Sequence, residues 1–137
     1  MKSGFPERQG GFNPFGELIG LTFSACGEGR SRCELPVREE LFNPHGVLHG
    51  GVIYSMADTG MGGALYSILA EGELCATVEI KIAYLAAVSS GTLVCDTRVL
   101  ERRSRIAVLE SEVVNLGPQG DRLVAKALGT YYVYRRD

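Results

Sequence analysis

The chain has 137 residues, enough for one domain with a sizeable buried core. With 45% hydrophobic and 22% charged residues, it has the composition of an ordinary globular protein. The formal net charge of −2 argues against nucleic acid or an anionic membrane as the main partner. No apolar run approaches the ~20 residues of a membrane span, and the polar N-terminus has no signal-peptide core. We expect a cytoplasmic protein with a flexible segment over residues 1–12 and one domain over residues 13–137.

The four cysteines form no Cys-x-x-Cys pair and have no histidine at the spacing of a metal site. Cys26 and Cys33 flank a turn signal at residues 27–29, so they can face each other across a hairpin. In a reducing compartment, free thiols in half-buried strands are the favoured interpretation. We expect neither a metal nor a cofactor.

The first elements along the chain are a strand pair, a loop and a helix. The strand pair is predicted from Leu18 to Val37, broken at residues 27–29, and Phe42 to Gly51 is predicted as a loop. Apolar residues then recur at helical spacing over residues 52–69. Three glycines at positions 60, 62 and 63 each cost about 0.5–1 kcal/mol in a helix. They indicate close packing against another backbone or a ligand, or else a shorter helix that ends near residue 60.

Strand signals follow the helix. Residues 77–84 alternate apolar and polar with period two, and long strands are predicted over 91–101, 105–115 and 121–134. Turn signals at 102–104 and 117–120 separate them. One long helix followed by a run of antiparallel strands predicts an α+β fold.

The most informative segment is Asn-Pro-His-Gly-Val-Leu-His-Gly-Gly at residues 43–51. A diglycine that enters a helix presents free backbone N–H groups, with the positive end of the helix dipole behind them. Such donors suit a carbonyl oxygen that becomes an anion during acyl transfer. Asp58 follows in an otherwise apolar helix, with no Lys or Arg over residues 52–69. A half-buried carboxylate of this kind can act as a base near neutral pH.

The spacing of these groups predicts a shared site. Asp58 lies seven residues beyond Gly51, which is about 10 Å along a helix axis. A base and an oxyanion donor must both lie within a few ångström of the same carbonyl. We therefore expect Gly51 of one chain to act with Asp58 of its partner.

The segment at residues 43–51, together with Asp58, resembles the signature of hotdog-fold acyl-CoA thioesterases, and is closest to their phenylacetate-degradation branch. The resemblance runs from residues 13–15 to about Tyr134. It implies an α+β hotdog fold, in which a curved antiparallel β-sheet wraps around a long central helix. It also implies acyl-CoA as the substrate and homodimers with shared active sites that pair into tetramers.

The resemblance assigns roles residue by residue. The N–H of Gly50 polarises the thioester carbonyl, with Gly51 as a second candidate donor. Asn43 helps to hold that carbonyl, although an asparagine before a proline also forms turns. His49 shapes the loop and assists carbonyl binding. Thr77 falls where the family often has a serine that orients the attacking water.

Two routes of hydrolysis stay open, because Asp58 can either deprotonate a water held by Thr77 or attack the thioester itself. A serine hydrolase is excluded because no Gly-x-Ser-x-Gly segment is present. Basic residues at one predicted turn can bind coenzyme A phosphates or simply be solvated; these are Arg102, Arg103 and Arg105. The acyl pocket is expected to involve Tyr54, Met61 and Leu65.

Two other functions compete with thioester hydrolysis. A hotdog dehydratase or hydratase would set a loop histidine, His45 or His49, against Asp58. A non-catalytic acyl-CoA-binding protein would keep the fold and lose the base, and the presence of Asp58 argues against it. The sequence leaves open the acyl chain, coenzyme A versus a carrier protein, and dimer versus tetramer.

Overall fold

The computed structural model describes residues 13–136, so the segment predicted to be flexible, residues 1–12, lies outside the described residues. One long helix packs on one face of a six-stranded antiparallel sheet. None of the described helices is long and apolar enough to cross a membrane. In chain order the elements are α1 (Pro14–Ile19), β1 (Thr22–Gly27), β2 (Arg30–Pro36), a 3₁₀ turn (Glu39–Leu41), α2 (Gly50–Tyr66), β3 (Glu73–Tyr84), β4 (Thr92–Arg102), β5 (Ile106–Gly117) and β6 (Gly120–Arg135).

The prediction of a strand from Leu18 is wrong, because a short helix occupies this part of the chain. Asn13 caps α1 by accepting a hydrogen bond from the Gly16 N–H at 3.2 Å, and Pro14 takes the first helical position. Gly20, with φ of 85°, ends the helix in the left-handed conformation. β1 therefore begins at Thr22.

The hairpin between β1 and β2 turns where the sequence predicts. Glu28 and Gly29 both have positive φ, as a two-residue hairpin loop requires. The strand register pairs Cys26 with Ser31, and Cys33 with Phe23, so the two cysteines are not opposite each other. All four cysteines are free thiols.

Helix α2 begins at Gly50, two residues before the predicted start, and ends at Tyr66, three residues before the predicted end. The alternative of a helix ending near residue 60 is wrong. Gly60 allows close packing of the helix on the sheet, because a Cβ there would lie 2.6 Å from Thr97 Oγ1. Gly62 has open space around it instead.

Hydroxyl groups of the sheet hold α2 in place. Ser31 donates to the main-chain oxygen of Gly60 at 2.6 Å, and Ser111 donates to that of Ala57 at 3.2 Å. Both serines are buried, and Ser111 also bonds Thr97 at 2.7 Å. These bonds fix the rotation of the helix about its axis, and with it the direction in which its side chains point.

The strand order is β1-β2-β4-β5-β6-β3, so β3 lies at one edge of the sheet. β3 starts at Glu73, four residues before the prediction, and pairs with β6 alone. The pairing shifts by one residue between Thr77 and Glu79, which is a β-bulge. The outer side of β3 therefore presents unpaired backbone groups among the described residues.

The two helical glycines give a matched test of this packing. We expect Gly60→Ala to lower the free energy of unfolding by about 1–3 kcal/mol, because the new methyl group must displace Thr97. Gly62→Ala should raise it by about 0.5–1 kcal/mol, because alanine costs less entropy in a helix. Chemical denaturation measures both. Equal effects of the two changes would contradict the close contact at Gly60.

Candidate active site

Asp58 is half-buried on α2 and points toward the sheet. Its Oδ1 accepts a hydrogen bond from Thr77 Oγ1 on β3 at 2.7 Å and another from the Tyr131 hydroxyl on β6. The same Tyr131 hydroxyl lies 2.7 Å from the main-chain oxygen of Asp58. The carboxylate that has no partner on its own helix is thus bonded by two hydroxyls from the sheet.

The second oxygen of this carboxylate, Oδ2, accepts no hydrogen bond from any residue over 13–136. Thr77 is exposed, so the site opens to solvent at the edge of the sheet. The arrangement leaves one anchored oxygen and one oxygen that can accept a proton or form a bond.

Tyr131 is the site residue that sequence reasoning missed. It lies directly opposite Thr77 in the β3–β6 pairing and is 3% exposed. Burial, with a smaller contribution from the Asp58 carboxylate, raises the pKa of Tyr131, so its hydroxyl remains a neutral donor. The only signal in the sequence was that Asp58 needed a donor from another element.

The loop before α2 is built by the side chain of Asn43. Its Oδ1 accepts from the N–H of His45 at 2.9 Å and from that of Val47 at 3.4 Å. The oxygen therefore forms a turn, as in the alternative interpretation of this residue. The Nδ2 group donates to none of the described residues and is free for a ligand.

The two glycines at the start of α2, which the sequence left equivalent, differ in their hydrogen bonds. The Gly51 N–H donates to Nδ1 of His49 at 2.8 Å, and His49 is the N-cap of the helix. The Gly50 N–H has no acceptor within residues 13–136. Tyr84 covers Gly50 and donates to its main-chain oxygen at 2.8 Å. Because Nδ1 of His49 accepts a bond, the ring hydrogen lies on Nε2 and can be donated outward.

An uncharged cavity of about 360 Å³ adjoins Gly50. Its lining includes Leu48, Ile53, Tyr84 and Val88. Met61, by contrast, is completely buried between helix and sheet, and its sulfur lies 2.5 Å from where a Cβ on Gly129 would be. Leu65 is buried in the same core cluster, whereas Tyr54 is half-buried. Met61 and Leu65 are thus core residues of the described chain and do not line this cavity.

The three arginines near the β4–β5 turn have different surroundings. Arg102 forms an ion pair with Glu73 at 3.0 Å and also donates to the main-chain oxygen of Ser104. A hydrogen bond from the Ala70 N–H, assisted by Arg102, lowers the pKa of Glu73. The Arg102 side chain therefore links the turn to β3 through these bonds.

Arg103 is exposed and forms an ion pair with Glu101 at 3.1 Å. The Arg105 side chain contacts no acidic partner within residues 13–136. It lines a cavity of about 370 Å³ together with Tyr132, Tyr134 and Arg135. Of the three arginines, Arg105 is the one free to bind an anion. Elsewhere, no cluster of three His, Cys, Asp or Glu side chains in the described chain is arranged to hold a metal.

Comparison with known proteins decides the family. The model of the thioesterase superfamily matches residues 45–127, which include the helix with Asp58 and most of the sheet. The chain belongs to the thioesterase superfamily.

Similar proteins, two of them with solved structures, support the membership. The conserved protein PA5202 from Pseudomonas aeruginosa is 38% identical, with a TM-score of 0.82 over 90% of this chain and 95% of that one. The thioesterase HI1161 from Haemophilus influenzae is 26% identical, with a TM-score of 0.81 over 90% of this chain and 85% of that one. The proofreading thioesterase EntH from Cronobacter sakazakii is 29% identical over 83% of this chain and 82% of its own. The predicted hotdog fold is confirmed.

Proposed function

We propose that this thioesterase hydrolyses acyl-CoA thioesters at a site shared by two subunits. The observation that carries the proposal is the arrangement of α2. The helix begins with the free Gly50 N–H and carries, two turns later, a carboxylate that has one anchored and one free oxygen. These are an oxyanion donor and a base or nucleophile, the two groups that thioester hydrolysis needs.

In the proposed complex, the thioester carbonyl oxygen accepts a hydrogen bond from Gly50 N–H. The positive end of the α2 dipole adds to this stabilisation as the oxygen becomes an anion. Nε2 of His49 and Nδ2 of Asn43 are the further donors at this loop. We assign the main role to Gly50 rather than Gly51, because the Gly51 N–H is already bonded to His49.

Asp58 Oδ2 carries the chemical step. In one route it takes a proton from water as the water oxygen bonds to the carbonyl carbon; the C–S bond then breaks and the proton passes to the thiolate. Thr77 gives its hydrogen to Oδ1, so its lone pairs remain available to hold that water. In the other route Oδ2 attacks the carbonyl carbon, the thiolate leaves, and water hydrolyses the resulting anhydride. Both routes remain within the proposal.

The two chemical groups of one chain are too far apart for one carbonyl. Gly50 and Asp58 lie eight residues apart on the same helix, about 12 Å along its axis. Both contact the edge strand β3, Asp58 at Thr77 inside the strand and Gly50 at Tyr84, its last residue.

The edge strand offers a geometric solution. If two copies pair antiparallel along β3, about a two-fold axis between Ile80 and Lys81, Thr77 comes opposite the partner subunit's Tyr84. The two helices then lie on the same face of a continuous sheet, with Asp58 of one chain near the partner subunit's Gly50. We propose this dimer as the active unit, and the resemblance extends the proposal to tetramers.

Coenzyme A is the proposed thiol carrier because one arginine at the β4–β5 turn forms no ion pair with the described residues. Arg105 can bind a phosphate group by charge-assisted hydrogen bonds, and Tyr132 beside it offers an aromatic surface. The uncharged cavity at Gly50 suits the acyl group.

The dehydratase alternative receives no support from the site. Asp58 is hydrogen-bonded by Thr77 and Tyr131, and neither His45 nor His49 contacts it within its own chain. In the proposed dimer the partner subunit's His49 comes near Asp58, but its ring has no free lone pair with which to act as a base. Nδ1 of His49 is occupied in capping α2. A non-catalytic binder would have no need of a carboxylate with a free oxygen.

The proposal is tested by thiol release from a panel of aryl-, short- and long-chain acyl-CoA substrates. We expect Asp58→Asn to lower kcat by about 10²–10⁴-fold, because the amide cannot take a proton or attack. The fold should remain, since the amide oxygen still accepts both hydroxyl bonds. Asp96→Asn, at an exposed ion pair with Arg32, is the control and should keep wild-type activity. Full activity of Asp58→Asn would remove Asp58 from the mechanism.

A second test concerns the backbone donor. Proline at Gly50 removes the N–H, suits the first position of a helix, and is compatible with the extended backbone of His49. We expect Gly50→Pro to lower kcat by about 10²–10³-fold. Gly50→Ala places a similar Cβ against Tyr84 but keeps the N–H, so its loss should be much smaller. Equal losses of kcat in the two variants would show that the added side-chain bulk, and not the loss of the N–H donor, lowers the activity.

A third test concerns coenzyme A. Arg105→Ala should raise KM for acyl-CoA by about tenfold, the size of one charge-assisted contact, and leave KM for acyl-pantetheine unchanged. Arg103→Ala removes the same charge from an exposed ion pair and should change neither value. If Arg105→Ala affected both substrates equally, the arginine would not bind the nucleotide portion.

A further inference from the structure

We infer that Tyr131 is a positioning residue that determines which oxygen of Asp58 reacts. This inference rests on the proposed hydrolysis and deepens it, because it assigns the chemical step to Oδ2 through a residue outside the loop and helix. Tyr131 itself touches neither water nor thioester in this account and acts only through Asp58.

The Tyr131 hydroxyl contacts two different oxygens of Asp58. The Tyr131 hydroxyl contacts the side-chain Oδ1 and also lies 2.7 Å from the main-chain oxygen of the same residue. A donor that bridges these two atoms fixes the side-chain torsion angles relative to the helix backbone. Tyr131 therefore holds the carboxylate in a single orientation on α2.

Thr77 completes the anchoring at the same oxygen. With the Thr77 and Tyr131 hydroxyls both bonded to Oδ1, that oxygen already accepts two hydrogen bonds. Oδ2 accepts no hydrogen bond from residues 13–136, so its lone pairs remain available. A proton or an acyl carbon can then bond only to Oδ2 without breaking an existing hydrogen bond.

Tyr131 is well placed to serve as a fixed donor. It is buried on the helix-facing side of β6, and its backbone pairs with that of Thr77 beside the bulge of β3. One backbone ladder thus sets the positions of both hydroxyls. A shift of β6 along β3 would move Tyr131 away from Thr77 and end the contact of both hydroxyls with the same oxygen.

The test compares Tyr131→Phe with Tyr66→Phe, which removes the same atom from a half-buried tyrosine at the last residue of α2. We expect Tyr131→Phe to lower kcat by about 10²-fold with KM within twofold of wild type, because the carboxylate loses its orientation while the binding groups stay in place. Tyr66→Phe should leave kcat unchanged. If the two variants had equal kcat values, or if Tyr131→Phe changed KM alone, the inference would be overturned.

A double-mutant cycle in stability tests the anchoring without any substrate. The free energy of unfolding is measured for Tyr131→Phe, for Asp58→Ala and for the double variant. Non-additive effects support the bond between the two side chains, and additive effects overturn it. An inactive wild type across the whole substrate panel, together with a non-additive cycle, would reject the proposed function while keeping the anchoring of Oδ1. An active wild type together with an additive cycle would keep the proposed function and reject the anchoring of Oδ1.

Discussion

The length of a rigid helix is the constraint on which the rest of this site depends. In the proposed mechanism Gly50 and Asp58 act on one carbonyl, yet α2 holds them about 12 Å apart. A helix cannot bend to bring its first residue to its third turn. The proposed chemistry therefore requires a second helix in the opposite direction, and the proposed dimer provides it by symmetry.

The sheet is built to present both halves of this arrangement at one edge. Thr77 and Tyr84 lie seven residues apart, an odd spacing that would place them on opposite faces of a regular strand. The bulge after Thr77 corrects the alternation, so both side chains contact α2. A bulge of this kind re-aims one side chain at little cost to the rest of the strand. It places the groups proposed to carry out the chemistry at the edge where we propose that two subunits pair.

Local patterns in the sequence were enough to predict the long helix, the loop before it and a carboxylate that needs a partner. Gly50 and Asp58 could be placed because capping, spacing and the absence of neighbouring charge act over a few residues. Tyr131 could not, because it lies 73 positions from Asp58 and meets it only through the register of β6 on β3. The helix at residues 14–19 was missed because it has too few residues for an apolar period.

Side-chain partners limited the prediction in a second way. Arg102 and Arg105 look alike in the sequence, but Glu73 from another strand engages only the first. From its place in the apolar stripe of α2, Met61 could belong either to the core or to a pocket wall. It belongs to the core, because Gly129 has no side chain and leaves room there for the Met61 sulfur. Such choices depend on contacts between distant residues, which no local pattern records.

Subunit mixing tests the shared site most directly. Asp58→Ala and Gly50→Pro, each inactive alone, are combined in equal amounts and allowed to exchange subunits. In a mixed dimer one site receives the intact Gly50 of one chain and the intact Asp58 of the other, while the second site receives both defects. Random exchange should therefore restore about a quarter of wild-type thiol release. No recovery, with exchange proven by mass spectrometry of the mixed dimer, would show that each chain works alone and would contradict the account.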